Sequence, residues 1–403
     1  MAVLLPRLRL DLDFFPSPVE DRPGLVIRDG RGYSDVTIIL PPPLIPCVEL
    51  FDGQHTNLDL KELLVRITGE LDVSDLERQL VSTLSQSGFL HDDVYDRLRE
   101  ERHREFALSP VRDASHAGAA YPADPAELRT TLREYMDGAA APAPGKLIGV
   151  AAPHVSPFGG IRTYRAAYNA LPDDWRDKTF IVLGTSHQGE PDRFGLTRKA
   201  YETPFGKTRT ELSIIDRLAQ QPAALMEDYC HAIEHSIEFQ VVFLQYLFGP
   251  DIKVVPVLCG SFWRSITEGG RPEDNDQVRA FFDELGELAA QEGDALRWVL
   301  GIDMAHIGRR YGDPWSVRAD EGRMLEVSAR DKARIERVNE GDAAGFWDLV
   351  QQNRDDLKWC GSAPLYTFLK AIPQARGNLR EYQHWNIDDN SVVSFGAISF
   401  ARG

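Results

Sequence analysis

The chain has 403 residues, of which 43% are hydrophobic and 27% charged, and its formal net charge is −17. A chain of this length and composition predicts a soluble globular protein with two domains, or one large domain with an appendage. Because so acidic a chain repels polyanions and carries no block of Lys and Arg, we expect no nucleic-acid partner.

The cysteines and the N-terminal residues indicate the compartment. The four cysteines form no CxxC pair, which argues against a zinc ribbon, a redox dithiol and a disulfide framework. Residues 1–15 alternate apolar and charged side chains and lack the continuous apolar stretch of a secretory signal. No apolar run approaches the length that spans a membrane. The sequence therefore predicts a cytoplasmic protein without membrane association.

The first 110 residues predict a small α+β unit. Strands are expected at Leu25–Arg28 and Asp35–Leu40, and helices at Asn57–Leu64 and Ser74–Ser87, where apolar residues recur on one helical face. The charged stretch Asp96–Glu105 fits either a solvated helix or a linker helix, and the sequence leaves both open.

From about residue 114 onward, strands and helices alternate, and a loop rich in Ala, Pro and Gly is expected at 137–145. This alternation predicts an α/β domain in which helices flank a sheet. The predicted strands are Leu147–Ala152, Thr179–Gly184, Lys253–Leu258, Trp298–Ile302 and Val392–Phe400. Helices are predicted between them, for example at Ile214–Gln220 and Ala280–Gln291.

Three of these strands run directly into a histidine. His154 follows the first strand, His187 follows the second, and Asp303 with His306 follows the fourth. The carboxyl ends of strands in an open parallel sheet line one crevice, so we expect these side chains to converge at a metal site or an acid/base site. An aspartate beside a histidine can orient the ring for proton transfer. Taken singly, each histidine also fits a structural role.

Cys360 is a candidate ligand of a different kind. It precedes the apolar segment Pro364–Ile372, which predicts a helix, and a thiolate near a helix N-terminus has a lowered pKa and is a soft metal ligand. A buried, inert cysteine is the alternative, and it is the interpretation we favour for Cys47, Cys230 and Cys259.

A competing motif predicts a different metal site. The segment from His231 to His235 matches H-x-x-E-H, the inverted zincin pattern. On one continuous helix both histidines would bind zinc and Glu234 would be the general base of a hydrolase. The third ligand that such a site needs is not defined by the sequence.

From Ala114 to the C-terminus the chain resembles the MEMO family, also called protein B of the AmmeMemoRadiSam group. The resemblance rests on several blocks in the same order over about 290 residues, whereas a single block would not be specific. The blocks are Ser115-His116-Ala117-Gly118 with Tyr121, Ala152-Pro153-His154, Leu183 to His187, Glu202-Thr203-Pro204, Glu234 to Glu238, Asp303 to Gly308, Cys360-Gly361 and Asp389 to Ser394.

The resemblance implies a fold similar to that of class III extradiol dioxygenases, which are non-heme iron enzymes. By motif position it assigns the metal ligands to His154, His187 and Cys360. The same comparison assigns the neighbouring acid/base pair to Asp303 and His306.

Two departures from the family pattern concern the pocket. Val155 to Gly160 replaces the usual aromatic and glycine segment after the first histidine, and Gly301-Ile302 replaces the usual serines before the aspartate. These changes keep the implied ligands but alter the pocket walls, so a shared substrate is not implied.

The first 110 residues lie outside that resemblance. Phe51-Asp52-Gly53, the helix after it and Gly88-Phe89-Leu90 are similar to PqqD-like winged-helix domains, which often hold a peptide by strand addition. A structural cap on the main domain is the alternative.

Together, these observations predict a winged-helix-like domain over residues 1–110 and a MEMO-like α/β domain over residues 111–403. The expected function is that of a Fe2+-binding oxidoreductase acting on a small molecule or a peptide. Cu+ is the alternative metal, because a thiolate softens the site. A second expectation is a non-catalytic metal- or peptide-binding scaffold that works with a radical SAM enzyme.

Overall fold

The computed structural model describes residues 2–17, 19, 21–138 and 145–403. The chain divides into two compact units, Met1–Leu108 and Ser109–Gly403. Most of the loop expected at 137–145 lies outside the described residues. Within the described ranges, no helix is both long and apolar enough to cross a membrane.

The first unit packs three helices with a small antiparallel sheet, in which the second strand pairs with both others. A threonine–aspartate capping box begins the first helix, which ends at a glycine in the left-handed conformation. The elements are β1 (Leu12–Pro16), β2 (Leu25–Asp29), β3 (Thr37–Leu40), α1 (Asn57–Thr68), α2 (Ser74–Gln86) and α3 (Asp93–Leu108). The charged stretch at 96–105 is part of α3, and the winged-helix assignment stays a prediction.

The second unit is built on a ten-stranded sheet with helices on its faces, which confirms the predicted α/β class. Its strands are β4 (Val111–Arg112), β5 (Leu147–Ala152), β6 (Thr179–Thr185), β7 (Phe194–Leu196), β8 (Ala200–Thr203), β9 (Gly206–Lys207), β10 (Arg209–Thr210), β11 (Ala224–Met226), β12 (Lys253–Cys259), β13 (Leu296–Gly301), β14 (His306–Gly308), β15 (Ala375–Asp388) and β16 (Ser391–Arg402). Its helices are α4 (Pro125–Met136), α5 (Ile161–Tyr168), α6 (Leu212–Leu218), α7 (Cys230–Ile233), α8 (His235–Phe248), α9 (Trp263–Glu268), α10 (Asp276–Glu292), α11 (Arg323–Asn339), α12 (Ala343–Gln351) and α13 (Ser362–Ala371).

Four neighbouring parallel strands form the centre of the large sheet, in the order β12-β6-β13-β5. Strand β16 continues the sheet antiparallel to β5, and β15 pairs with β16 in a long hairpin. Strands β4, β8 and β9 form a separate small sheet. The strand order places the ends of β5, β13 and β6 side by side.

Both faces of the central strands are buried. In β6, Phe180 and Val182 contribute to one apolar core while Ile181 and Leu183 contribute to the other. Strands covered by helices on both sides need apolar residues at every position, which explains their continuous apolar runs. Strand β15 lacks such a run because its side chains are mostly half-buried, and this is why the sequence did not predict it.

Candidate metal centre

Three strand ends of the parallel sheet meet at one point. His154 follows β5, His187 follows β6, and Asp303 follows β13, which lies between those two strands. The ring centroids of the two histidines lie 5.0 Å apart. The structure thus brings these side chains together at the sheet edge where parallel α/β folds bind ligands.

A third imidazole reaches the same point from a helix. His235 begins α8, and its ring centroid lies 5.1 Å from those of both His154 and His187. The helix approaches the end of β13 closely because Gly301 has no side chain: a Cβ there would lie 2.0 Å from the carbonyl oxygen of Ser236. One nitrogen of each imidazole lies within 4.8 Å of the other two. Two metal bonds of about 2.1 Å span at most about 4.2 Å, so a bound ion would draw the most distant nitrogens slightly closer together.

His154 is held in the state that a metal requires. Its Nδ1 lies 3.0 Å from the carbonyl oxygen of Gly301, so Nδ1–H donates and Nε2 keeps its lone pair. Burial, with His187 and His235 nearby, holds the pKa of His154 well below its ordinary value. The ring is therefore neutral and can bind a cation through Nε2.

Glu234 joins the other two imidazoles. Its carboxylate lies 3.0 Å from Nδ1 of His187 and 3.3 Å from Nδ1 of His235. Burial by itself raises the pKa of Glu234, but the two histidines lower it well below its usual range. Burial lowers the pKa of His187, and the carboxylate raises it well above the ordinary value. A carboxylate behind a histidine orients the ring and makes it a stronger ligand.

Cys360 faces the imidazoles from the segment before α13. Its Sγ lies 3.3 Å from Nε2 of His154, and the thiol also interacts with His187. We expected the helix N-terminus to lower the thiol pKa, but burial raises it and His187 only opposes that rise. The thiol is therefore protonated at neutral pH, and metal binding at Cys360 must release a proton.

The structure corrects the expected pairing of Asp303 with His306. Oδ1 of Asp303 accepts the backbone N–H of His154 at 3.0 Å, and Oδ2 lies 3.4 Å from Nε2 of that residue. Nδ1 of His306 instead donates to the carbonyl oxygens of Met304 and Lys358, at 2.9 and 3.1 Å. His306 already belongs to β14, which pairs with β16, so backbone carbonyls orient its ring.

The pKa values of Asp303 and His306 are nevertheless shifted in opposite directions. Burial raises the pKa of Asp303 to about 7, against hydrogen bonds that it accepts from backbone N–H groups. Burial, together with the nearby His187, lowers the pKa of His306 to about 4. Neighbouring titratable groups whose environments shift their pKa values in opposite directions are characteristic of acid/base sites.

The helix expected for the H-x-x-E-H motif is broken. Glu234 is extended, with φ −81° and ψ 132°, and it separates α7 from α8. Both ring nitrogens of His231 are engaged, one 2.7 Å from the Tyr201 hydroxyl and the other 3.0 Å from the carbonyl oxygen of Gly195. The zinc-hydrolase alternative lacks the continuous helix that it requires, because Glu234 caps α8 and its carboxylate pairs with the imidazoles of the centre instead.

A buried ion pair fixes the start of α8. The side chains of Arg112 and Glu238 are fully buried and paired with each other. Arg112 donates to the carbonyl oxygen of Glu234 at 2.7 Å, and Glu238 accepts the backbone N–H of His116 at 3.0 Å. The ring centroid of His116 lies 5.5 Å from that of His235. The pair therefore holds a fourth histidine beside the centre.

A second buried carboxylate links two loops of the centre. Asp331 accepts the indole N–H of Trp359 at 2.6 Å and the hydroxyl of Ser394 at 2.5 Å. Trp359 precedes Cys360, and the Ser394 hydroxyl accepts the backbone N–H of Ala305 at 2.8 Å. One side chain thus fixes both the cysteine segment and the turn that follows β13.

The fold and the histidine cluster define an α/β protein with a candidate metal site at the carboxyl edge of its sheet. A family model described as "Memo-like protein" matches residues 112–399, and the chain belongs to this family. The resemblance that the sequence motifs predicted is thereby confirmed.

Relatives with the same family description match different lengths of the chain. A MEMO1 family protein of Aquifex aeolicus is 26% identical over 387 residues, which cover 93% of this chain and 95% of the relative. MEMO1 family protein MK0963 of Methanopyrus kandleri is 27% identical, covering 72% of this chain and 99% of the relative. A MEMO1 family protein of Archaeoglobus fulgidus is 32% identical, with 72% and 99% covered. The Aquifex match is longer than the second unit, so it includes part of the first.

Sequence reasoning missed two members of the centre. Both residues lie in a block that carries the family resemblance, but as site residues His235 was considered only as a zincin ligand and Glu234 only as its general base. The local signal was weak: the apolar run of α8 starts just after Glu234, whose carboxylate caps the helix in the structure, but Glu is not among the preferred N-cap residues. A helix beginning at His235 would have separated it from His231 and directed attention to the strand ends.

Proposed function

We propose that the protein binds Fe2+ through His154, His187 and Cys360, with His235 in reach as a further ligand, and that it acts as a non-heme oxidoreductase. The observation that carries the proposal is the cluster of three imidazoles whose ligand nitrogens lie within 4.8 Å of one another. His154 donates Nδ1–H to a fixed acceptor and keeps the Nε2 lone pair for a metal, whereas His187, whose pKa is raised well above its ordinary value, must lose its Nε2 proton before it binds.

The donor set supports a redox metal. Two imidazoles and one anionic ligand leave coordination positions open for a substrate. A thiolate makes the set softer than one with a carboxylate, so Cu+ is the competing ion. Bound iron would supply one-electron and dioxygen chemistry at this point. The four cysteines form no disulfide within the part of the chain that the structure describes, which supports a cytoplasmic location.

The residues beside the cluster would position and move protons. Asp303 fixes the backbone of His154 by accepting its N–H, and burial raises the carboxyl pKa to about 7. That carboxyl can take or give a proton near neutral pH. His306 presents Nε2, because Nδ1–H is committed to backbone carbonyls. Each residue therefore acts separately in proton transfer.

Metal analysis of anaerobically purified protein tests the proposal. Wild-type protein should hold one iron per chain. His154→Ala and Cys360→Ala should lose it, while His235→Gln should hold it more weakly. Because the Cys360 thiol is protonated before binding, titration of metal-free protein with Fe2+ in lightly buffered solution should release a proton that Cys360→Ala does not release.

His231→Gln is the matched control, because His231 is buried in the same unit but both its ring nitrogens are engaged elsewhere. It should keep full iron. Full metal in His154→Ala and Cys360→Ala, together with loss in His231→Gln, would contradict the assignment. Stoichiometric copper with no retained iron would replace the proposed metal with Cu+.

A scaffold role is the second candidate, and the sheet of the first unit supports it. Strands β1 and β3 each pair on one side only within the described residues, so each presents an edge to which a peptide could add. Hydrogen exchange of the full chain, with and without a purified radical SAM protein, tests this role. Slower exchange confined to 37–40 or 12–16 is expected, and unchanged exchange at both edges would contradict it.

A further inference from the structure

A cavity of about 310 Å³ opens beside the proposed metal centre. His187 and Cys360 form one side, and the apolar side chains of Trp263, Ile266 and Trp359 contribute much of the remaining wall. This volume lies at the small end of ligand pockets, which measure about 300–1,000 Å³. Trp263 is 59% exposed, so a large planar apolar surface is left uncovered there.

A buried hydroxyl in this wall lacks a partner. Ser186 lines the cavity and is only 7% exposed. Its Oγ is buried and has no hydrogen-bond partner among the described residues. Buried polar atoms are almost always hydrogen-bonded, because leaving one unsatisfied is costly. This hydroxyl is sealed from the cavity and lies against Gly189, so it belongs to the wall next to His187 and does not contact a ligand.

The cavity also has one unneutralised charge. Lys358 pairs with Asp313 at 2.8 Å, and Asp355 pairs with Arg334 at 2.8 Å. The side chain of Arg354, in contrast, makes no hydrogen bond or ion pair within the described ranges. A guanidinium is a planar fork that matches a carboxylate. In a chain with a net charge of −17, a free cation at this cavity selects for an anion.

The loop that carries Arg354 is strained and firmly held. Asn353, Arg354, Asp355 and Lys358 have φ values of 54°, 55°, 52° and 53°, in the left-handed region that side chains rarely adopt. The Asp355 carboxylate accepts the backbone N–H of Trp359 at 3.0 Å. Such strain persists only where the surroundings enforce it, and it clusters at ligand sites. The loop thus presents Arg354 to the cavity from a fixed backbone.

We infer that this cavity binds a small aromatic carboxylate. The carboxylate pairs with Arg354, the ring packs against Trp263 and Ile266, and the opposite end of the ligand faces His187 and Cys360 of the metal centre. This inference names the substrate class of the proposed oxidoreductase and rests on that function for its chemistry. The binding itself depends on residues that are not proposed metal ligands.

Calorimetric titration of the full chain, iron-loaded and metal-free, tests the inference with two matched probes. These are 4-hydroxyphenylacetate and its neutral amide, 4-hydroxyphenylacetamide. The carboxylate should bind at least about tenfold more tightly, which is the size of effect that a charge-assisted hydrogen bond gives. Equal affinity for the two probes, or no binding of either, would overturn the inference.

Four variants assign the contacts. Arg354→Gln should remove the preference for the carboxylate and leave amide binding unchanged, whereas Arg354→Lys should keep part of it. Trp263→Ala should weaken both probes, whereas Ser186→Ala, which removes an oxygen sealed from the cavity, should leave both unchanged. Arg264→Gln is the control, because it removes an equally exposed arginine next to Trp263 that does not line this cavity. Equal losses in Arg354→Gln and Arg264→Gln would show only a general charge effect and would overturn the assignment.

Two outcomes separate this inference from the proposed function. Binding that depends on Arg354 in protein that retains no iron would support the carboxylate site while contradicting the iron centre. Retained iron without any preference for the carboxylate probe would support the iron centre and contradict the carboxylate site. Inorganic phosphate is the competing anion, and its displacement of 4-hydroxyphenylacetate at equal concentration would overturn the assignment to a carboxylate.

Discussion

The two units of the chain bury polar groups in different ways. In the first unit, Arg9 is fully buried and its guanidinium is saturated. It donates to Asp29 at 2.8 and 3.0 Å, to Asp11 at 3.1 and 3.0 Å, and to the carbonyl oxygen of Gly88 at 2.9 Å. No donor of this group remains for a ligand, so its role is structural.

The second unit satisfies the imidazoles of its histidine cluster only in part; His154 is buried, His235 is half-buried and His187 is exposed. His154 and His187 each use Nδ1 in a hydrogen bond, and their remaining nitrogens, with one of His235, cluster within 4.8 Å. The contrast teaches that burial alone does not mark a functional site. What marks it is a set of polar groups that each keep a ligand atom or a proton available and direct it at a shared point.

Replacing Arg9 tests the structural side of this comparison and should have the largest effect. Arg9→Met leaves Asp29 buried without its partner, which typically costs about 3–5 kcal/mol of unfolding free energy. All seven tryptophans lie in the second unit, so tryptophan fluorescence reports that unit while far-UV circular dichroism reports both. In urea, only the dichroism transition should move to lower denaturant, and iron content should stay unchanged.

Arg28→Met is the matched control, because Arg28 pairs with Asp13 at the surface with 53% and 43% of the side chains exposed. Its loss should cost less than about 1 kcal/mol. A shifted fluorescence transition in Arg9→Met, or equal effects of the two variants, would break the distinction between the units.

Replacing Glu234 tests the functional side. In Glu234→Gln the Nδ1 of His187 loses its charged acceptor, whereas an amide oxygen remains to cap α8. Loss of such a partner typically lowers metal affinity about 10–100-fold. Competition with a chromogenic chelator measures this affinity.

Glu227→Gln serves as its control, since Glu227 accepts from Thr197 at 2.7 Å and is not part of the histidine cluster. It should leave iron affinity unchanged. Wild-type affinity in Glu234→Gln would mean that this carboxylate does not support the centre.

The smallest of these effects is expected in the pH dependence of the unfolding free energy of the second unit. Burial lowers the pKa of His231 from 6.5 to about 4. Between these two pKa values the unfolded chain binds a proton at His231 and the folded chain does not. The unfolding free energy that the neutral ring contributes is therefore complete above pH 6.5 and is lost as the pH falls from 6.5 to 4. At pH 5 the loss is about 2 kcal/mol.

Urea unfolding of metal-free protein at pH 7.5 and pH 5, followed by tryptophan fluorescence, measures this loss. In His231→Gln the difference between the two pH values should shrink by about 2 kcal/mol, although the variant is weaker at pH 7.5 because the Tyr201 hydroxyl loses a partner. His55→Gln, an exposed histidine of the first unit, should leave the difference unchanged. An unchanged difference in His231→Gln would contradict a neutral buried ring.

The sequence by itself determined the α/β class, the central strands and the residues that follow them. Strand Leu147–Ala152 was predicted with its observed bounds, because strands buried on both faces are continuously apolar. It also determined that His154, His187 and Asp303 each follow a strand, since position along the chain fixes which residue comes after a strand. Family motifs added Cys360.

Only the tertiary structure decided how these residues meet. His235 joins the cluster because α8 packs against glycines at the ends of β6 and β13, an approach that no local pattern encodes. Asp303 contacts His154 and not His306, because the chain enters β14 between them. Hydrogen bonds between residues far apart in sequence depend on how the elements pack. The sequence therefore supplied the ligands, and packing decided which nitrogen of each ring is free.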